Sequence, residues 1–457
     1  MTENKLTKKY GLPTAIAMVV GIVIGSGVFF KAQTILEMTG GDVLLGVLAW
    51  LVGGAIMVVC ALAFATMATK YEKVGGIVDY AEATVGENYA YFTGWFLTTI
   101  YYPSMTGVLA WLSARYTLVF VCSISPGFVE NPVTGPECMA LTLMMLVGSY
   151  AVNALSPKLA GHFQVSTTVI KLIPLVLMGV VGLIVGLANG TTVQNFTAVH
   201  TEVGRMPLLL GAVVSTAFAY EGWIIATGIN AELKNAKRNL PIALALGAVV
   251  IISICVLYYV GVAGGATTAE LIEKGATAAF TNVFGGVFGN ILNLFVAISC
   301  IGTLNGLMLA SARGMYALAA RGRGPAPTVF GRVDGETNVP TNSAIAGLFF
   351  AAFWFFYFYG SQLAGWFGGF FGFDSSELPI ITIYAFYLPV LVRFMIKGTE
   401  FGFCRRFLLP ALAICGSLFM IYAAVAAHGV QVFAYLIVFA VFAAAGLIFD
   451  AVCRKRG

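Results

Sequence analysis

Apolar runs long enough to cross a bilayer fill this chain, and they leave few folds open to it. A helix needs about 20 apolar residues to span the hydrocarbon core. Such runs fall near 12–37, 43–69, 88–121, 138–155, 164–188, 207–230, 241–263, 283–312, 341–360, 376–396, 406–427 and 430–452. Helices satisfy their own backbone groups where no water can do so. The runs therefore predict an all-α integral membrane protein of twelve transmembrane helices. Only 10% of the 457 residues are charged, whereas soluble domains carry about 25%. The net charge of +5 lies in loops and gives no reason to expect nucleic acid as a partner.

An even number of spans places both termini on one side. With the N-terminus inside, the inner segments hold twenty lysines and arginines. The outer segments hold four, Lys31, Arg115, Arg205 and Lys274, and Lys171 falls within a span. Excess positive charge marks the cytoplasmic side, so the expected location is the plasma membrane with both termini cytoplasmic. Residues 1–11 read as a cytoplasmic tail, because no cleavage site follows the first apolar run. Cys122 and Cys138 flank an outer loop, where a disulfide is one option.

Glycines 21, 25 and 27 lie within the first run, although each costs a helix about 1 kcal/mol relative to alanine. Two readings stay open for this stretch alone. Gly21 and Gly25 fit close helix packing, while Gly25-Ser26-Gly27 fits a helix that breaks around a ligand. The sixth run holds Phe218-Ala219-Tyr220-Glu221-Gly222-Trp223. A carboxylate at this depth is costly unless it is paired or faces water, so Glu221 marks a candidate site and a second break. Breaks in runs one and six occupy the same place in two five-helix halves. That is the pattern of a 5+5 inverted-repeat transporter with helices one and six unwound. The halves then run 12–190 and 205–398, with the last two helices at 404–452 and a short tail at 453–457.

An enzyme finds little support. His162, His200 and His428 lie far apart near loops, and no Cys/His cluster has metal-ligand spacing. Ser26 is flanked by Ile24 and Val28 where a nucleophile elbow needs glycine. No cofactor or metal is expected.

Gly25-Ser26-Gly27-Val28-Phe29 resembles the G-S-G-[IV]-F signature of the amino acid–polyamine–organocation superfamily. The segment 218–223 resembles the F-A-Y-x-G-W of its L-type amino-acid transporter branch. Glu232 to Pro241 is similar to that branch's E-x-K-N-P-x-R-x-[LI]-P loop, with Ala236 where proline is usual. Gly302-Thr303-Leu304-Asn305-Gly306 through Ala312-Arg313 to Gly324-Pro325 is similar to a fourth motif. Together these motifs reach from helix one to just past helix eight.

The resemblance implies a secondary transporter of L-amino acids working by alternating access. It implies a substrate site at Val23, Ile24, Gly25, Ser26 and Gly27 in the first break. Phe218, Ala219, Tyr220, Glu221 and Gly222 complete it in the second. Ser26 and Gly27 would hold the substrate carboxylate, and carbonyls near Val23, Ile24, Phe218 and Glu221 the ammonium. The physics agrees, since an opened helix offers N–H groups at one cut end and C=O groups at the other. Phe218 would be the gate over the substrate. Lys171 would stand where relatives bind sodium, which implies sodium-independent exchange or proton coupling. A lysine snorkelling to the interface is its plain alternative. Tyr101, Tyr102, Ser104, Ser299, Thr303 and Asn305 are weaker lining candidates.

Neutral amino acids are the first expectation. Glu221 leaves cationic amino acids or polyamines as the alternative, or else pairs within the protein. An amino-acid sensor without useful flux is the competing class. The short tails and the two loop cysteines lead us to expect no partner subunit.

Overall fold

The computed structural model describes residues 11–71, 76–155, 166–167, 170–198, 204–226, 233–337 and 339–456. It is all-helical. Among the described residues nine helices are long and apolar enough to cross a membrane. Leu172–Ala188 and Thr191–Thr197, bent by 88°, make a tenth if taken as one span. The N-terminal tail, Glu232, His162 and His200 lie outside the described residues.

Two further apolar stretches are interrupted, and they are the two that carry the glycine-rich motifs. Leu12–Val23 stops at Ile24, whose backbone turns extended with ψ 106°, and helix resumes at Gly27–Met38. Arg205–Ala219 stops at Tyr220, and helix resumes at Trp223–Ala226. Gly222 takes φ 105° in this second gap, a conformation that side chains with a Cβ resist. Elsewhere the punctuation is local. Asp42 caps Val43–Lys70 by accepting from the Leu45 N–H at 2.9 Å. Thr267 and Glu270 form a reciprocal capping box at the start of Thr268–Lys274, a pairing that satisfies two orphan donors at once. Gly285, at φ 77°, kinks the long Ala276–Ala319 helix.

The core is unusually rich in large rings, with Trp50, Trp111, Trp223 and Trp354 among its fully buried side chains. Buried indoles need acceptors. Trp354 finds one in the Thr99 carbonyl at 2.8 Å, within the π-turn Leu97–Tyr101.

Ion pairs define two faces. On the face where the chain ends, Lys70 pairs with Glu400 at 2.7 Å, Arg321 with Asp79 at 2.7 Å and Arg323 with Asp450 at 2.5 Å. We call this the C-terminal face. The opposite face carries Asp42 with Arg205 at 3.5 Å.

Three expectations change. Lys31, counted with the outer loops, is 1% exposed inside the bundle, because a carboxylate from a distant helix reaches it. His428 likewise packs against that carboxylate rather than standing alone. Cys122 and Cys138 are free thiols; the Cys122 thiol points to the Val129 carbonyl at 3.8 Å instead.

Candidate functional site

The two helix breaks meet. A Cβ built on Gly27 would lie 2.9 Å from Ala219 Cα and 3.1 Å from the Phe218 carbonyl oxygen. Only a glycine lets the backbones approach this closely. Gly25 faces Thr303 on the long Ala276–Ala319 helix, whose hydroxyl would be 3.2 Å from an added Cβ.

A cavity of about 250 Å³ opens where the breaks meet, walled by Val23, Gly25, Ser26, Gly27, Phe218, Ala219, Glu221 and Gly222. Tyr101, Met105 and Leu109 close one side, Lys171, Thr303, Gly306 and Leu307 another. Most of this wall is apolar, with a few convergent polar groups, as small-molecule sites usually are. Ser26 Oγ, Glu221 Oε1 and the Tyr101 hydroxyl are buried with no hydrogen bond of good geometry among the described residues; the Cys300 thiol is the polar neighbour of Ser26, and the Tyr101 hydroxyl that of Glu221. Buried polar atoms without partners are uncommon, and here three of them border one cavity.

Lys171 does not reach the interface. It is 3% exposed, and its ammonium donates to the Gly21 carbonyl. That carbonyl belongs to the last turn of Leu12–Val23, where the helix dipole favours a positive charge. The cut end of the first helix thus has a cation beside it. On the other side of the gap, the Phe29 and Phe30 N–H groups return to the Ser26 carbonyl at 3.1 and 3.2 Å. The N–H groups before them are the ones that a helix start leaves open.

Other expected residues sit elsewhere. Tyr220 turns away and donates to the Trp50 carbonyl at 2.9 Å. Ile24 is fully buried behind the cavity wall. Asn305 accepts from the Asn153 amide at 2.9 Å, and Ser299 is buried off the cavity. Tyr102 lines a second cavity of about 330 Å³, with Arg313 and Arg321, toward the C-terminal face. Adjacent residues Tyr101 and Tyr102 therefore divide the two cavities.

Sequence reasoning gave Tyr101 and Thr303 little weight and missed Met105 and Leu109. It also missed a polar cluster beyond Phe218, formed by Lys31, Glu377, Ser215 and His428. The only local signal was Lys31 near the end of the first apolar run, where a lysine reads as snorkelling to water; its partner lies 346 residues away.

Two interrupted helices that meet at a mostly apolar cavity with a few buried polar groups, inside a helical bundle long and apolar enough to cross a membrane, are what a small-molecule transporter requires. The chain belongs to the amino acid permease family, whose model matches residues 10–448. It is similar to the serine/threonine exchanger SteT of Bacillus subtilis, at 28% identity over 92% of this chain and 91% of that protein. It is similar also to the human b(0,+)-type amino acid transporter 1, at 28% identity over 90% of this chain and 87% of the other. The human large neutral amino acids transporter small subunit 2 is 29% identical over 73% of this chain and 62% of its own length. The chain is an amino acid transporter, not an enzyme.

Proposed function

We propose that this permease is a sodium-independent secondary transporter of neutral L-amino acids, working by exchange or proton coupling in the plasma membrane. The observation that carries the site is the buried Ser26 hydroxyl at the start of Gly27–Met38, without a hydrogen bond of good geometry, at the cavity between two helix breaks. A zwitterion needs an anion site and a cation site a few ångströms apart. Ser26 Oγ and the open N–H groups at Ser26 and Gly27 offer the first. Carbonyls at the ends of Leu12–Val23 and Arg205–Ala219 offer the second.

Lys171 supports sodium independence. Its ammonium already occupies the carbonyl end of the first helix, the place where a travelling cation would be coordinated in a broken-helix transporter. Phe218 roofs the cavity on the side away from the C-terminal face, and Tyr101 with Tyr102 separates it from the second cavity on that face. Assigning the C-terminal face to the cytoplasm, as the lysine and arginine bias suggests, makes Phe218 the outer gate and the second cavity the inner exit. We expect the permease to work without a second subunit.

A second reading rests on Glu221 Oε1, which is buried without a hydrogen bond of good geometry at the same cavity. Buried carboxylates want a cation, so a substrate with a basic side chain would satisfy it. An amino-acid sensor is the remaining alternative.

Uptake by the purified protein in liposomes tests all three. A panel of labelled amino acids and polyamines would be offered in sodium-free buffer, with vesicles empty or loaded with unlabelled amino acid. Uptake of neutral amino acids only into loaded vesicles supports exchange; dependence on an inward proton gradient supports symport. Preference for lysine or a diamine selects the second reading. Binding without uptake selects the sensor.

A further inference from the structure

One carboxylate on the face opposite the C-terminus joins four elements. Glu377, at the start of Leu378–Lys397, pairs with the Lys31 ammonium at 2.6 Å, and both side chains are 1% exposed. Its Oε1 also accepts from the Ser215 hydroxyl at 2.6 Å, and its Oε2 lies 3.1 Å from His428 Nε2 at the end of Leu409–His428. Lys31 belongs to Gly27–Met38 and Ser215 to Arg205–Ala219, the second half of one broken helix and the first half of the other. The same ammonium stands 5.3 Å from the centre of the Phe218 ring and 5.1 Å from that of Phe30. Phe30 meets Phe218 edge-on at 6.2 Å, and Phe218 is the cavity roof.

We propose that the Lys31–Glu377 pair is the latch of the gate on this face, holding the two broken helices together over the substrate and pressing Phe218 into place. This rests on the transport reading above. To reach the cavity from this side, Gly27–Met38 and Arg205–Ala219 must part. Both are tied to Glu377, so parting them separates a buried ion pair. Breaking such a pair leaves an uncompensated charge in a dry interior and is strongly opposed until water enters. A latch of this kind makes the gate open or shut rather than ajar. The cation–π contact adds to the closed form only, since it needs the ring and the ammonium in register. His428 and Ser215 are positioning residues: they occupy the carboxylate lone pairs that Lys31 leaves free.

The test uses Thr303→Cys, a cavity-wall reporter, in the full chain with its eight native cysteines replaced by alanine or serine, so that labelling reads position 303 alone. Its labelling by a membrane-impermeant thiol reagent would be timed in intact cells and in inside-out vesicles. Glu377→Gln alone strands Lys31 and risks misfolding. The double variant Lys31→Met with Glu377→Gln removes both charges, an exchange that buried pairs often tolerate. In intact cells the double variant is expected to label about tenfold faster, as a shift of the gate equilibrium toward open requires. In inside-out vesicles its rate should stay the same or fall, and Lys31→Arg should keep the parent rate in both. An unchanged rate in intact cells overturns the latch. So does a rise of equal size in both preparations, which would mean general loosening. Labelling needs no substrate, so a parent chain that carried no amino acid would sink the transport reading while leaving this result readable.

Discussion

Gly27 and Ala219 stand so close that a single added carbon on one would press within 2.9 Å of the other's Cα. The two helix breaks share one point of contact, and whatever occupies the cavity is gripped by both. If substrate binds at this cavity, as proposed above, its recognition and the relative position of the two broken helices are one variable.

Gly27→Leu should abolish binding while the protein remains monodisperse and helical. The side chain has to displace backbone rather than a flexible neighbour, and small-residue contacts between membrane helices do not expand without moving a helix. Affinity measured by ligand-induced thermal shift should fall at least about tenfold, or about 1.4 kcal/mol. Unchanged affinity would remove the contact point from the site.

Lys171→Ala should slow exchange. It deletes a buried charged donor from the Gly21 carbonyl, an interaction class worth about 1.5–3 kcal/mol. If the bond is needed in the rate-limiting state, initial exchange rates in liposomes drop about ten- to hundredfold. Full activity would show that the lysine only fills space.

Glu221→Gln separates the two substrate readings. The change keeps the shape and removes the charge. Should the acid touch a basic side chain, the preference for lysine over leucine falls about tenfold, read as the ratio of their competition constants. A ratio that does not move assigns Glu221 to holding the second break.

Trp354→Phe tests the scaffold and not the site. It removes the indole donor from the Thr99 carbonyl and leaves a buried acceptor in the π-turn unmatched, at a cost of about 1–3 kcal/mol. Thermal unfolding in detergent should begin at a lower temperature, with substrate affinity at the parent value. A parallel loss of affinity would show that the π-turn positions Tyr101.

Much of this molecule was legible because its signals are local. Gly25, Ser26 and Gly27 sit in an apolar run where their cost needs a reason, and Glu221 announces itself by being charged at depth. The rest depended on distance. Lys31 falls near the end of a run, where a lysine ordinarily snorkels to water, and only the arrival of Glu377 buries it. His428 closes the largely apolar helix Leu409–His428 and reads as a helix end; its partner cannot be seen along the chain. Asn153 and Asn305 are each unremarkable until they meet. The turn of Tyr220 toward Trp50 was hidden in the same way, since the motif fixes the break but not which ring leaves it.

The ion pair across the far gate also sets an order of assembly. Lys31 and Glu377 are separated by 346 residues, and at about 5–20 residues per second a ribosome needs roughly 20–70 s to make that length. Throughout this interval the first broken helix holds a lysine whose counter-ion does not yet exist. It cannot settle at its final depth dry; until Leu378–Lys397 is inserted it must keep its ammonium near water or headgroups. The cavity between the first and sixth runs is thus expected to close only after Leu378–Lys397 is in place.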